Sequence, residues 1–314
     1  MVHKTASKVG YDDYRELTVG LARNHAKWSG RVRPYMKGLL QPLSWPGPGL
    51  IQVNYLSDLL ADGVDDSLLD YVWAVMALQQ KCTFLICTKR EQRLFDYLTR
   101  DVAGLTRRIE AIVEDVGTRA AQEDVAFRIA ISQFAQIGFL PNVWLAVSVE
   151  NQQWANERVP VLCQMPAAVR AVIGEPLLGP IRLEAGWLPH IGWIVTGGEQ
   201  GNYARPSRPE WFHGLRDQAA GASIPYMHLR FGRWRPFLPS DSERRCMVWP
   251  VNSAGVVRRD IGIGATIYKP DEIPMVKSIV PYPLLDGVRH EARPPLHTQD
   301  IPAWDEVDIY ERGL

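Results

Sequence analysis

Many of the features that make a 314-residue chain easy to classify are scarce or missing here. Cysteine is rare: Cys82, Cys87, Cys163 and Cys246 are too few and too scattered to build a disulfide framework or a C-x-x-C metal knuckle. That usage points to a reducing cytoplasm. No apolar run approaches the ~20 residues that cross a bilayer, and the opening MVHKTASKVGYDDYREL has no apolar core of a secretory signal. No membrane association is expected. Neither G-x-G-x-x-G nor G-x-x-x-x-G-K-S/T occurs, which removes the usual backbone cradles for dinucleotides and triphosphates. H-E-x-x-H, H-x-E with a C-x-x-C, and the G-x-S-x-G elbow are also absent. A net charge is lacking too, because 35 Lys/Arg balance 35 Asp/Glu, so the molecule as a whole has no general attraction to nucleic acid.

The charge that is present is unevenly placed. Residues 1–37 hold eight Lys/Arg against three Asp/Glu, and residues 260–314 hold five against ten. This distribution reads either as steering for an anionic ligand or as two solvated surfaces of different sign. With 46% hydrophobic and 22% charged residues the chain can bury a large core, as one large domain or two small ones.

Apolar, β-rich runs recur, and each stops at polar or glycine residues before a helical pattern begins. LIQVNYLSDLL (50–60) ends in Asn54, Ser57 and Asp58; CTFLICTKR (82–90) in Thr88, Lys89 and Arg90; NVWLAVSVEN (142–151) in Ser148, Glu150 and Asn151. VRAVIGEPLL (169–178) stops at Glu175 before Pro176, and GWIVTGGEQG stops at Gly197, Gly198 and Glu199. IPYMHLRFGRW (224–234) is a sixth run. Between them, SLLDYVWAVMALQQ (67–80), 91–116 and PEWFHGLRDQAAGA (209–222) carry apolar residues at helical spacing, and 100–136 reads as a helical insertion. Alternating strands and helices predict parallel pairing through right-handed crossovers. The expected fold is α/β: a complete or partial (β/α) TIM-like barrel over residues 1–236, with residues 237–314 as a proline- and glycine-punctuated extension packed on it. The alternative is an open doubly wound sheet.

In a parallel barrel the C-terminal strand ends share one mouth. Asn54, Ser57, Asp58, Lys89, Arg90, Ser148, Glu150, Asn151, Glu175, Gly197, Gly198, Glu199 and Arg205 are therefore the candidate ligand-binding residues. Glu150 or Glu199 is the candidate base, with Lys89 or Arg205 stabilising negative charge. The same residues also read as a structural ring of ion pairs, with Lys89, Arg90 and Arg205 neutralising the three glutamates. Gly197-Gly198 reads as a place where a ligand meets backbone or as a tight turn. His228 is the histidine nearest the expected mouth. HLRFGRWRPF (228–237) interleaves Arg230, Arg233 and Arg235 with Trp234, either as a nucleic-acid contact or as a core strand end with solvated arginines. Cys82 and Cys87, five apart on one strand, point to opposite faces. No metal site is read.

NYLSDLL, AVMALQQKCTFLICTKREQRLFDYL, LPNVWLAVSVENQQWANERVPVL, PAAVRAVIGEPLLGPI and WIVTGGEQGNYARPSRPEWFHGLRDQ together resemble the phage protein 37/68 family, over roughly residues 39–236 with a weaker echo in LLDGVRHE. That family resembles radical S-adenosylmethionine enzymes, which implies a partial (β/α) barrel and S-adenosylmethionine as a ligand. Its members carry three N-terminal cysteines suited to an iron–sulfur cluster. The corresponding positions here are Ala6, Tyr11 and Tyr14, and cluster iron needs thiolates. The late Lys-Gln of the family is Leu229-Arg230 here. The implied function is a cluster-free barrel that binds S-adenosylmethionine, a nucleotide or a related anionic small molecule. The alternatives are a nucleic-acid- or protein-binding partner without catalysis, and a radical enzyme subunit whose cluster comes from another chain.

Overall fold

A computed structural model of the chain describes residues 18–19, 27–29, 31–33, 36–54, 57–116, 125–238, 248–257, 271–277 and 283–296. Ala6, Tyr11, Tyr14 and Cys246, together with most of the basic first segment and the acidic last one, lie outside the described residues.

The first elements are small: an antiparallel pair, β1 (Thr18–Val19) with β2 (Lys27–Trp28), and a single helical turn, α1 (Met36–Leu39). The six apolar runs of the sequence form β3 (Leu50–Val53), β4 (Thr83–Thr88), β5 (Val143–Ser148), β6 (Val169–Gly174), β7 (Trp193–Gly197) and β8 (Tyr226–Arg230). They pair in chain order, every pair parallel, into an open, curled sheet that forms half a barrel. Every residue of β5 is buried, as expected of a central parallel strand covered on both faces.

The connections are α2 (Asp66–Leu78), α3 (Glu91–Thr99), α4 (Val102–Val116), α5 (Val125–Ile137), α6 (Gln152–Gln164) and α7 (Pro209–Gly221). Leu105, Ile109 and Val113 line one stripe of α4, and Leu69, Trp73 and Met76 one stripe of α2, so each helix turns an apolar face to the sheet. The insertion expected over 100–136 is α4 and α5. One crossover departs from strict alternation: β6 reaches β7 with only a short 3-10 turn at Leu188–His190. EPLLGPIRLEAG, which begins that connection, holds two prolines and two glycines, too many breaks for a helix.

Strand alternation sorts the core into two halves. Phe84, Ile86, Leu145, Val147, Val172 and Ile194 join the helices in the larger cluster. Leu85, Trp144, Ala146, Ala171, Ile173, Trp193 and Val195 form a second cluster on the concave face, which contains no helical residue. The Trp144 and Trp193 rings meet edge to face at 5.8 Å. Register aligns Cys87, Ala146, Ala171 and Trp193 across four strands, so the small side chains leave room for the large rings.

Beyond the barrel, β9 (Trp234–Pro236), β10 (Val248–Val251) and β11 (Ile273–Lys277) form an antiparallel sheet in the order β10-β11-β9. Arg208, 7% exposed at the start of α7, donates to the carbonyls of Val251 and Asp271 and so ties this sheet to the barrel. A last hairpin, β12 (Leu284–Leu285) with β13 (Val288–Arg289), leads into a strap that ends with Leu296 in the concave cluster.

Candidate functional site

Each expected rim residue lies at or just beyond the C-terminal end of a parallel strand. Asp58 follows β3, Lys89 follows β4, Glu150 follows β5, Glu175 follows β6, Glu199 follows β7, and Arg230 ends β8. The curled sheet carries these ends to one side of the molecule. Below them on the concave face stand Cys87, Ser148 and Gly197, all small. Cys87 Sγ lies 3.3 Å from Ser148 Oγ, and burial pushes that thiol up to about 11, so it stays protonated.

The carboxylates are paired with cations rather than opposed to one another. Glu150 takes Lys89 on one oxygen and Arg158 on the other, the latter at 3.1 Å. Glu175 accepts from Arg230 Nη2 at 2.6 Å. Its carboxyl is held above the usual range by burial, against the pull of Arg230. Glu199 accepts two guanidinium bonds from Arg205, at 2.9 and 2.8 Å, and a third from the Arg205 amide. These bonds hold its carboxyl below the usual range. The charge of Glu150 also acts on Arg205, so neighbouring rim groups share one electrostatic environment. Glu175 moves up through desolvation and Glu199 moves down through its arginine, so neither shift comes from one carboxylate repelling another.

Asp58 is a local tie. It accepts from Leu60 N, Thr88 Oγ1, Lys89 N and Arg90 Nη1, and so fixes the loop after β3 to the end of β4. Asn54 sits at φ 56 in the turn after β3, and its carbonyl accepts from Ser57 N; both residues are exposed. Asn151 caps α6, accepting from Trp154 N at 3.3 Å.

The two glycines serve packing. A Cβ on Gly198 would lie 1.9 Å from the Phe231 carbonyl oxygen, so the end of β7 lies directly against the chain beyond β8. A Cβ on Gly197 would meet the Glu175 carboxylate at 3.0 Å. The space read as room for a ligand at Gly198 is filled by main chain.

His228 differs from its expected setting as well. It is 2% exposed and packs edge to face on Phe212 at 4.7 Å and Phe231 at 5.0 Å, on the helix side of the sheet. Its Nδ1 lies 3.2 Å from Thr196 Oγ1, and burial pulls its pKa down to about 4. Arg230, Arg233, Trp234 and Arg235 do not form an exterior strip. Trp234 is 2% exposed and donates from Nε1 to the Ala204 carbonyl at 2.7 Å, while Arg230 is turned to Glu175.

Sequence reading missed Arg158 and Glu91. Arg158, 5% exposed, donates to the Ser148 carbonyl at 2.7 Å as well as to Glu150, stacks 4.1 Å over Trp154, and lies 3.6 Å from Glu91. Its signal was an arginine on the buried stripe Ala155, Val159 and Leu162 of α6.

Cys82 immediately precedes β4, Cys87 lies on β4 and Cys163 on α6, and the three do not fit a cluster. Cys82 packs on the helix side, Cys87 faces the concave side, and Cys163 lies on α6. Among the described residues, no group of three or more His, Cys, Asp or Glu is placed to hold a metal ion. No described helix is long and apolar enough to cross a membrane. A cavity of about 420 Å³ lies along β8 and the strap, and its lining includes none of Glu150, Glu175 and Glu199. No curated protein and no solved structure matches the chain. Residues 4–275 match the family described as Protein of unknown function (DUF5131), and the chain belongs to that family.

Proposed function

We propose that the mouth of the half-barrel binds a small anionic molecule, with S-adenosylmethionine or a nucleotide as the leading candidates, and that the chain does not carry out radical chemistry by itself. The observation that carries this reading is the convergence of Lys89, Glu150, Glu175 and Glu199 from four adjacent strands above Cys87, Ser148 and Gly197. Lys89 and Arg205 are more exposed there than Arg90 or Arg230, with side chains 49% and 62% exposed. An incoming carboxylate or phosphate would exchange with Glu150 at Lys89 or with Glu199 at Arg205, and the freed glutamate would accept from a ligand amine or ribose hydroxyl. Arg158 keeps Glu150 anchored while Lys89 moves. The resemblance to the phage protein 37/68 family supports S-adenosylmethionine as the first ligand to try, and the cysteine placement gives no thiolate set for reducing it.

Isothermal titration of the folded protein with S-adenosylmethionine, S-adenosylhomocysteine, ATP and GTP tests the proposal. Binding of one of them is expected, weakened at least about tenfold by Lys89→Ala or Arg205→Ala, which corresponds to about 1.4 kcal/mol. No heat with any of the four, or binding indifferent to both substitutions, would overturn it.

A further inference from the structure

The strap adds a wall to the inner face of the sheet. After β13 the chain runs antiparallel to β8: Met227 bridges Glu291, and His228 N–H donates to the His290 carbonyl at 2.9 Å. Residues opposed across an antiparallel pair share a face, and successive residues alternate. Glu291 therefore lies on the side of Met227, and Arg289 and Arg293 lie on the side of Leu229. Met227 and Leu229 pack on the concave cluster. The strap is held there by Trp193 Nε1, which donates to the Ala292 carbonyl at 2.9 Å, and by Leu296, 4% exposed among the concave-face residues. Arg216 and His213 on α7 hold the preceding turn at Asp286, at 2.6 and 2.9 Å.

Met227, Leu229, Pro283, Arg289, Glu291 and Arg293 line the cavity of about 420 Å³, within the range of small-molecule sites. One side is apolar and the other charged. Arg289 is engaged by Glu291 at 2.8 Å, whereas Arg293 is exposed and makes no ion pair among the described residues. At the mouth, by contrast, Lys89, Arg205 and Arg230 are each held by a glutamate. An anion arriving at the cavity meets a guanidinium that need not first give up a partner.

We propose that the cavity between β8 and the strap is a second binding site, for a small molecule that joins a carboxylate or phosphate to an apolar or aromatic body. Arg293 holds the anion, with Arg289 beside it, and Met227 and Leu229 take the body. The site stands independently of the mouth.

The probes are 2-naphthoate, 2-naphthyl phosphate, 2-naphthylmethylamine and inorganic phosphate, each titrated calorimetrically into the full chain. Both naphthyl anions, or the one whose head group is recognised, are expected to bind; the amine and inorganic phosphate are not. Arg293→Glu, a surface change that leaves the fold intact, weakens binding at least about tenfold. Leu229→Asn weakens it with Arg293 still present, and Lys89→Ala leaves it unchanged. Equal binding of the amine, silence of both naphthyl anions at millimolar concentration, or binding indifferent to Arg293→Glu would overturn the proposal. So would binding lost in Lys89→Ala but kept in Arg293→Glu, which would put the anion at the mouth.

Discussion

At Gly198 one methyl group decides whether β7 can lie beside the chain that leaves β8. The Phe231 carbonyl occupies the place of a Cβ, and backbone on both sides has no rotamer through which to yield. Gly198→Ala is expected to destabilise the protein by about 3 kcal/mol, read as a lower denaturant midpoint at unchanged slope. His228 carries a second residue-scale prediction. Its folded pKa, about 4, lies below the unfolded value of 6.5, so the unfolded chain takes up the proton first as pH falls. Above pH 6.5 both states are neutral and the full stability is present. Between pH 6.5 and 4 stability declines, by at most about 3 kcal/mol, and this part of the decline is absent in His228→Phe. Urea midpoints for the two proteins across pH 4–7 measure it.

Single buried polar side chains join the helices to the sheet. Asn142, fully buried at the start of β5, donates from Nδ2 to the carbonyls of Met76, Gln79 and Cys82, and its Oδ1 accepts from Gln80. It thus satisfies carbonyls at the end of α2, where a helix leaves them without internal partners. Asn142→Ala strands these groups and is expected to cost about 2–3 kcal/mol in a denaturant titration. Asp70 does similar work between helices, accepting from Tyr97 at 2.9 Å and from Arg108 Nε at 2.7 Å. Burial and the Asp70 charge raise the Tyr97 phenol, so it stays protonated. In both cases the partners are 27 or more residues apart in sequence, and neither asparagine nor aspartate shows by its neighbours that it will be buried.

For the molecule as a whole, buried polar and apolar ties hold the antiparallel sheet and the strap to the barrel. Arg208 is one buried tie to the sheet, alongside Trp234. Arg208→Ala, by leaving the Val251 and Asp271 carbonyls unpaired, is expected to speed limited proteolysis within 248–257 and 271–277 by about tenfold or more while the barrel remains resistant. Leu296→Asp tests the strap: a carboxylate among Trp144, Trp193 and Ala171 should expel it and increase acrylamide quenching of tryptophan fluorescence. Six strands in chain order, their exits and the opposed faces of Cys82 and Cys87 were all legible in the sequence, because apolar runs and strand alternation are local properties. The helix-free crossover before β7 departs from the expected alternation, although the prolines and glycines that break it are local too.

The sequence by itself determined a parallel α/β sheet whose strand ends carry Asp58, Lys89, Glu150, Glu175 and Glu199, since period and turn chemistry act over a few residues. It also determined that no cysteine trio stands at Ala6, Tyr11 and Tyr14. Only the tertiary structure decided what each charge faces. It matched Glu175 to Arg230 rather than to another carboxylate, filled the space at Gly198 with main chain, turned His228 and Trp234 inward, and folded Arg293 back against β8. Those outcomes depend on which distant segments meet, and electrostatic and packing energies are set by that meeting.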